Sequence, residues 1–118
     1  MANHNDAGKQ GEDMAAKWLL ANGFSILHRN WRYGYYEIDI IAFKHPVLHI
    51  IEVKLRNHSR YSQPEDSVTK KKFRRLQKAA GQFLFLHPTY KWIQYDVVAI
   101  TIFSNKEPEV YFIRDVYV

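Results

Sequence analysis

The chain contains no cysteine among its 118 residues. That absence excludes disulfides, thiolate zinc sites, iron–sulfur clusters and a cysteine nucleophile together. Glycine and proline are sparse, at five and four residues, and no low-complexity tract, linker or internal repeat interrupts the pattern. No apolar run approaches the roughly 20 residues needed to span a bilayer. The opening residues, Met1-Ala2-Asn3-His4-Asn5-Asp6, are polar and lack the apolar segment of a signal peptide. A cytoplasmic protein without a membrane partner is therefore expected. Apolar residues make up 47% and aromatics 15% of the chain, enough for a hydrophobic core and too many for disorder. The length favours one domain over residues 1–118.

The net charge of +5 is unevenly placed. Residues 54–78 hold nine Lys or Arg against two acids, whereas the remainder holds eight bases against ten acids. A basic block on a mildly acidic body points to a polyanionic partner such as nucleic acid.

Hydrophobic periodicity sets out the elements. Met14, Ala15, Trp18 and Leu19 form one stripe of a helix from about Asp6 to Asn22, stopped by Asn22-Gly23. Phe24–Leu27 and the stretch after Asn30 read as extended. Tyr35–Phe43 alternates, with Ile38, Ile40 and Ala42 on one face and Glu37, Asp39 and Ile41 on the other. His45-Pro46 marks a turn into a strand over Val47–Leu55. A basic loop containing Pro64 follows. Ser67 or Thr69 can then cap a helix to about Leu86, with Phe73, Leu76, Ala80, Phe83 and Leu84 inward. Trp92–Phe103 and Glu109–Val118 supply two more strands, and Trp18, Trp31 and Trp92 are expected in or near the core. The order helix, three strands, helix, two strands implies an α/β or α+β domain with a mixed sheet.

Candidate chemistry lies where strands break their binary pattern. Glu52 and Lys54 follow Leu48 and Ile50 on what should be an inward face, and such violations are expected at functional sites. Glu37 and Asp39 share a face of the preceding strand. Glu12 lies on or beside the first helix's apolar stripe, where a carboxylate must be paired, hydrated or coordinating. Two or three such carboxylates can hold a hard cation, Mg²⁺ or Mn²⁺, through oxygen. The cation acidifies a bound water and neutralises charge on phosphoryl oxygens, and a lysine two residues beyond the second acid reaches the same side. This is the logic of the PD-(D/E)-x-K nucleases.

Basic side chains supply the rest. Lys71, Arg74, Arg75 and Lys78 lie away from the second helix's apolar stripe and can contact phosphates. In the preceding loop, Arg56, His58 and Arg60 could follow a backbone, with Tyr61 available to stack on a base. The six histidines lack metal-binding spacing, and His45 and His49 are read as structural or exposed. Asp96 is read as a structural contact at a strand start.

Several segments occur in a specific order: Gly11-Glu12, Ala15-Ala16, Leu19, Asn22-Gly23-Phe24, Asn30-Trp31-Arg32, Glu37-Ile38-Asp39-Ile40-Ile41-Ala42, Glu52-Val53-Lys54-Leu55-Arg56, Lys71, Ala79-Ala80 and Tyr95-Asp96-Val97-Val98-Ala99-Ile100. This series closely resembles the YraN-like family of small bacterial proteins. The resemblance covers about Asn5 to Ile102. It implies a restriction-endonuclease-like fold, a central mixed sheet flanked by helices, similar to archaeal Holliday-junction resolvases. It further implies that Asp39 and Glu52 are metal ligands, Lys54 the catalytic lysine and Glu12 a helix-borne acid. The family usually has glycine before Glu-Ile-Asp, where this chain has Tyr36.

The leading expectation is a Mg²⁺- or Mn²⁺-dependent endonuclease acting on phosphodiesters in branched or structured DNA. Two alternatives stand beside it. One is a nucleic-acid-binding module that keeps the fold without cleaving. The other is a small interaction protein whose terminal strand, Val110–Val118, pairs with a partner or forms a homodimer.

Overall fold

The computed structural model describes residues 2–57 and 69–116, with the backbone alone for residues 2–7. Helix α1 spans Ala2–Ala21, strands β1 Ser25–Tyr33, β2 Tyr36–Lys44 and β3 Val47–Asn57, helix α2 Lys70–Leu86, and strands β4 Trp92–Ile102 and β5 Glu109–Ile113. The strands form one sheet in the order β1-β2-β3-β4-β5. β3 and β4 are parallel and joined through α2, while the other neighbours are antiparallel. This is the expected single α/β unit with a mixed sheet, consistent with a restriction-endonuclease-like fold. Among the described residues, no helix is long and apolar enough to cross a membrane.

Each helix covers one face. Ala15, Ala16 and Leu19 of α1 pack on Ile40, Ala42, Ile51, Val98 and Ile100. Gly11 permits close approach of α1 to β3, since a Cβ there would stand 3.4 Å from that of Leu55. On the other face, Leu76, Ala79, Ala80 and Phe83 of α2 meet Ile38, Ile41, Leu48 and Ile50. Thr69 caps α2, its side chain accepting the Lys72 N–H at 3.1 Å. The cap begins the helix beside the end of the sheet that carries the acidic residues.

Three expectations change. Ile38 belongs to the α2-side cluster with Ile41 rather than with Ile40 and Ala42, so the faces of β2 do not alternate strictly across Asp39. Trp92 is 65% exposed; it opens β4 opposite Val47 at a sheet end, past the last turn of α2. Trp18 and Trp31 do pack, against Phe112 and Phe83. The last strand stops at Ile113, since Asp115 takes a positive φ of 47° and turns the chain.

Asp96 explains that turn. Its side chain is wholly buried and lies 2.6 Å from His49 Nδ1. It also accepts the Gln94 side-chain amide at 2.8 Å and the Asp115 N–H at 3.1 Å. The structural role expected for Asp96 and His49 is what the fold uses. His45, by contrast, is exposed.

Candidate functional site

The β2–β3 ladder runs from Lys44–Val47 to Ile40–Ile51 and ends there, while β3 continues beside β4 as far as Asn57. The two strands fork. At the fork Asp39 Oδ2 accepts the Val53 N–H at 2.8 Å, so a side chain replaces the next rung of the ladder. On the other side of β2, the pairs Arg29–Ile40 and Trp31–Ile38 bracket Asn30. Asn30 has a φ of 54°, a left-handed conformation that asparagine tolerates. Its side-chain amide donates to Glu12 Oε1 at 2.9 Å. Arg29 stands 3.6 Å from the same oxygen and 2.7 Å from Asp13 Oδ1. Glu12 is thereby held on the α1 side of the fork.

Glu52 lies beyond the last ladder pair on β3 and is 7% exposed. It faces α2, where Lys72 Nζ forms an ion pair with its Oε2, and Lys54 Nζ lies 3.9 Å from that oxygen. Asp39, Glu52 and Lys72 line one cleft of about 340 Å³, together with Tyr35, Glu37 and Arg75. Glu37 pairs with Arg32 at 3.7 Å.

The electrostatics follow from this crowding. Burial and then the charge of Glu52 push the Asp39 carboxyl from 3.8 up to about 7, with smaller contributions from Glu12 and Glu37 and with the Val53 N–H opposing. Burial lowers Lys54, as do the charge of Lys72 and a hydrogen bond with it, against Glu52 and Asp39. Burial also acts to lower Lys72, but its hydrogen bond to Glu52 and that carboxylate's charge hold it above the ordinary lysine value. Of two adjacent amines, Lys72 keeps its proton and Lys54 releases one more readily.

The structure thus gathers Asp39, Glu52 and Lys54 as the strand pattern requires. Glu12 reaches Asp39 through its field, while its own oxygen is taken by Asn30. Among the described residues, no three His, Asp or Glu side chains converge as a ready-made cation cage. Lys71, Arg74, Arg75 and Lys78 are exposed on α2, and Arg75 turns into the cleft. Arg56 Nε donates to Thr101 Oγ1 at 3.3 Å on the neighbouring strand. Arg60 and Tyr61 lie outside the described residues.

Sequence reasoning missed Lys72, although a signal was present. Residues 72, 76, 79 and 83 fall on one helical stripe, and a lysine extending three buried residues needs a buried partner. Asn30, which orients Glu12, carried no comparable signal, because a left-handed residue inside a strand is set by tertiary contacts.

The model of the "Uncharacterised protein family UPF0102" matches residues 11–100. A UPF0102 protein of Phocaeicola vulgatus is 42% identical over 108 residues, covering 92% of this chain and 88% of that one. Another from Flavobacterium psychrophilum is 40% identical over 100 residues, with 85% and 84% covered. A third, from Rhodococcus opacus, is 37% identical over 119 residues and spans 99% of this chain and its own full length.

Proposed function

Because the chain belongs to the uncharacterised protein family UPF0102, and because two carboxylates and two lysines meet at its strand fork, we propose that it is a metal-dependent nuclease. Its substrate on this reading is a phosphodiester in branched or otherwise structured DNA. The observation that carries the proposal is Asp39, lodged by the Val53 N–H beside Glu52 and resisting ionisation at neutral pH.

The donor set suits a hard cation. It offers oxygen only, and it brings like charges into one half-buried space, a repulsion that a divalent ion relieves. Asp39 and Glu52 would hold Mg²⁺ or Mn²⁺, with Glu12 adding negative potential from the α1 side. Such an ion, when bound, would supply Lewis-acid charge neutralisation and an acidified water. Lys54, with its lowered proton affinity, orients that water or takes its proton. Lys72 balances Glu52, and Arg75 with the exposed face of α2 holds the phosphate backbone.

Incubation with junction, flap and linear DNA in Mg²⁺ or Mn²⁺ tests the reading. Cleavage is expected from the parent protein and is lost in Asp39→Ala and Lys54→Ala. Cleavage that persists unchanged in both variants removes this mechanism. Failure to bind any divalent ion, with salt-sensitive DNA binding retained, would instead identify a binding module.

The basic helix makes a separate prediction. Charge reversal at Lys71 and Arg74 is expected to weaken DNA binding and to lower the salt-dependence slope by about one for each phosphate no longer neutralised. Anisotropy titrations across a range of salt concentrations measure both. An unchanged slope would place the backbone elsewhere.

A further inference from the structure

One side chain at the cleft has no part in the chemistry above. Tyr35 is completely exposed, at 103% of the reference area. It sits in the two-residue turn between the paired Tyr33 and Tyr36, where Gly34 adopts a φ of 61°. A turn of this kind fixes the tip of a hairpin, and glycine at its first central position is what it requires. The second central position carries no such demand for an aromatic, and small polar residues commonly fill turns. A large ring held in water on a fixed tip makes no packing contribution to this chain.

Its surroundings are specific. Tyr35 lines the cleft with Asp39, Glu52, Lys72 and Arg75. It precedes β2 by one residue and stands four residues from Asp39, at most about 13 Å at the usual strand rise. Tyr33 is 44% exposed and its ring lies 6.4 Å from that of Tyr36. Lys78 of α2 lies 5.9 Å from the Tyr36 ring centre. The hairpin therefore contributes Tyr35 and Tyr36 to the cleft wall, and α2 contributes Lys72 and Arg75. Flat aromatic surface with cations alongside is the pairing that binds a single strand, rings stacking on bases and cations following phosphates. A continuous duplex keeps its bases stacked on one another and offers the ring no free face.

We infer that Tyr35 is a stacking platform for an unpaired nucleotide a step or two from the scissile phosphate, so that the preferred substrate is DNA carrying a displaced or unpaired base. The inference rests on the nuclease reading for the position of the scissile bond. The contact itself is one of binding and can be measured without cleavage. Tyr35 acts here as a specificity-determining residue.

The test uses the full chain in EDTA and two duplexes of one sequence, with a single 2-aminopurine either bulged out or paired. The parent protein is expected to prefer the bulged duplex by about tenfold, in line with the worth of one base–aromatic stack, and to quench the bulged probe on binding. Tyr35→Ala loses the preference and the quench, and Tyr35→Phe keeps both. Because the residue is exposed, melting temperatures should coincide among the three proteins. Equal affinity of the parent for both duplexes overturns the inference. So does a Tyr35→Ala variant that quenches as the parent does, or one that weakens both duplexes equally. A change of oligomeric state in Tyr35→Ala with quenching intact would assign the tip to contacts between copies instead, and would also overturn it. Since no metal is present, these outcomes are read whether or not the protein cleaves. Absence of cleavage by the parent in a separate incubation with Mg²⁺ or Mn²⁺, with the preference intact, would reject the nuclease reading alone.

Discussion

Replacing Asp39 with Asn is expected to stabilise the metal-free protein above neutral pH and, on the proposed nuclease reading, to abolish cleavage. The carboxyl is raised from 3.8 to about 7, first by burial and then by Glu52, so the folded chain holds this proton more tightly than the unfolded chain does. Stability falls as pH rises from about 4 to about 7, and the cost of the charge is fully expressed above that range. The interval between the two values corresponds to a ceiling of roughly 4 kcal/mol. Relaxation and water near the cleft reduce the realised gain from the amide to about 2 kcal/mol, on the usual scale for such buried charges. The amide oxygen can still accept the Val53 N–H, so the fork survives. Urea denaturation at pH 5 and pH 8 checks the effect. The gap between Asp39→Asn and the parent should be less than half as large at pH 5, part-way into the fall, as at pH 8. A gap of equal size at both would reject the assigned cause. With Mg²⁺ present, the parent should recover stability at pH 8 and the variant should not, and only the parent should cleave DNA.

The opposite outcome is expected at Asp96, which pairs in register with Ile51 beside Glu52 but is bonded into the fold instead of the cleft. Asp96→Ala destabilises the protein by about 3–5 kcal/mol, the cost of breaking a buried, hydrogen-bonded pair and leaving one partner behind. Its carboxylate contacts His49 at 2.6 Å, Gln94 at 2.8 Å and the Asp115 N–H at 3.1 Å. Alanine leaves His49, only 6% exposed, without this partner, and it leaves a void where the carboxylate was. The melting temperature should drop by on the order of 15 °C for a domain of this size. Hydrogen exchange should quicken first at Asp115 and Val116, whose N–H groups bond to Asp96 and to the Tyr95 carbonyl. A loss below about 1 kcal/mol, or protection unchanged at those amides, would show that the pair is not an anchor.

The two sites differ in how far the sequence discloses them. Element order and the helix stripes were legible because periodicity is local, and so were Glu52 and Lys54, which break an apolar face on an otherwise regular strand. Asp39 was legible as a residue but not as a bond, because acceptance of the Val53 N–H depends on where two strands part. The face of Ile38 was misread for the same reason, since strict alternation assumes an uninterrupted pleat. Lys72 was readable from its stripe, yet it was hidden among five other bases between positions 70 and 78. Trp92 shows the limit of composition, because a large apolar side chain is buried only if an element reaches far enough to cover it.

The hydrogen bond across the strand fork also governs stereochemistry. Asp39 Oδ2 accepts the Val53 N–H, so Oδ1 is the oxygen with more lone-pair capacity to offer outward. If a cation is held as proposed, Asp39 would favour giving it one donor atom, with Glu52 as the other protein ligand. Such monodentate binding suits the small octahedral Mg²⁺ ion better than Ca²⁺, which accepts bidentate carboxylates and more ligands. The last rung of a sheet would thus act as a filter on metal identity, with half of one carboxylate spent on the fold and half left for chemistry.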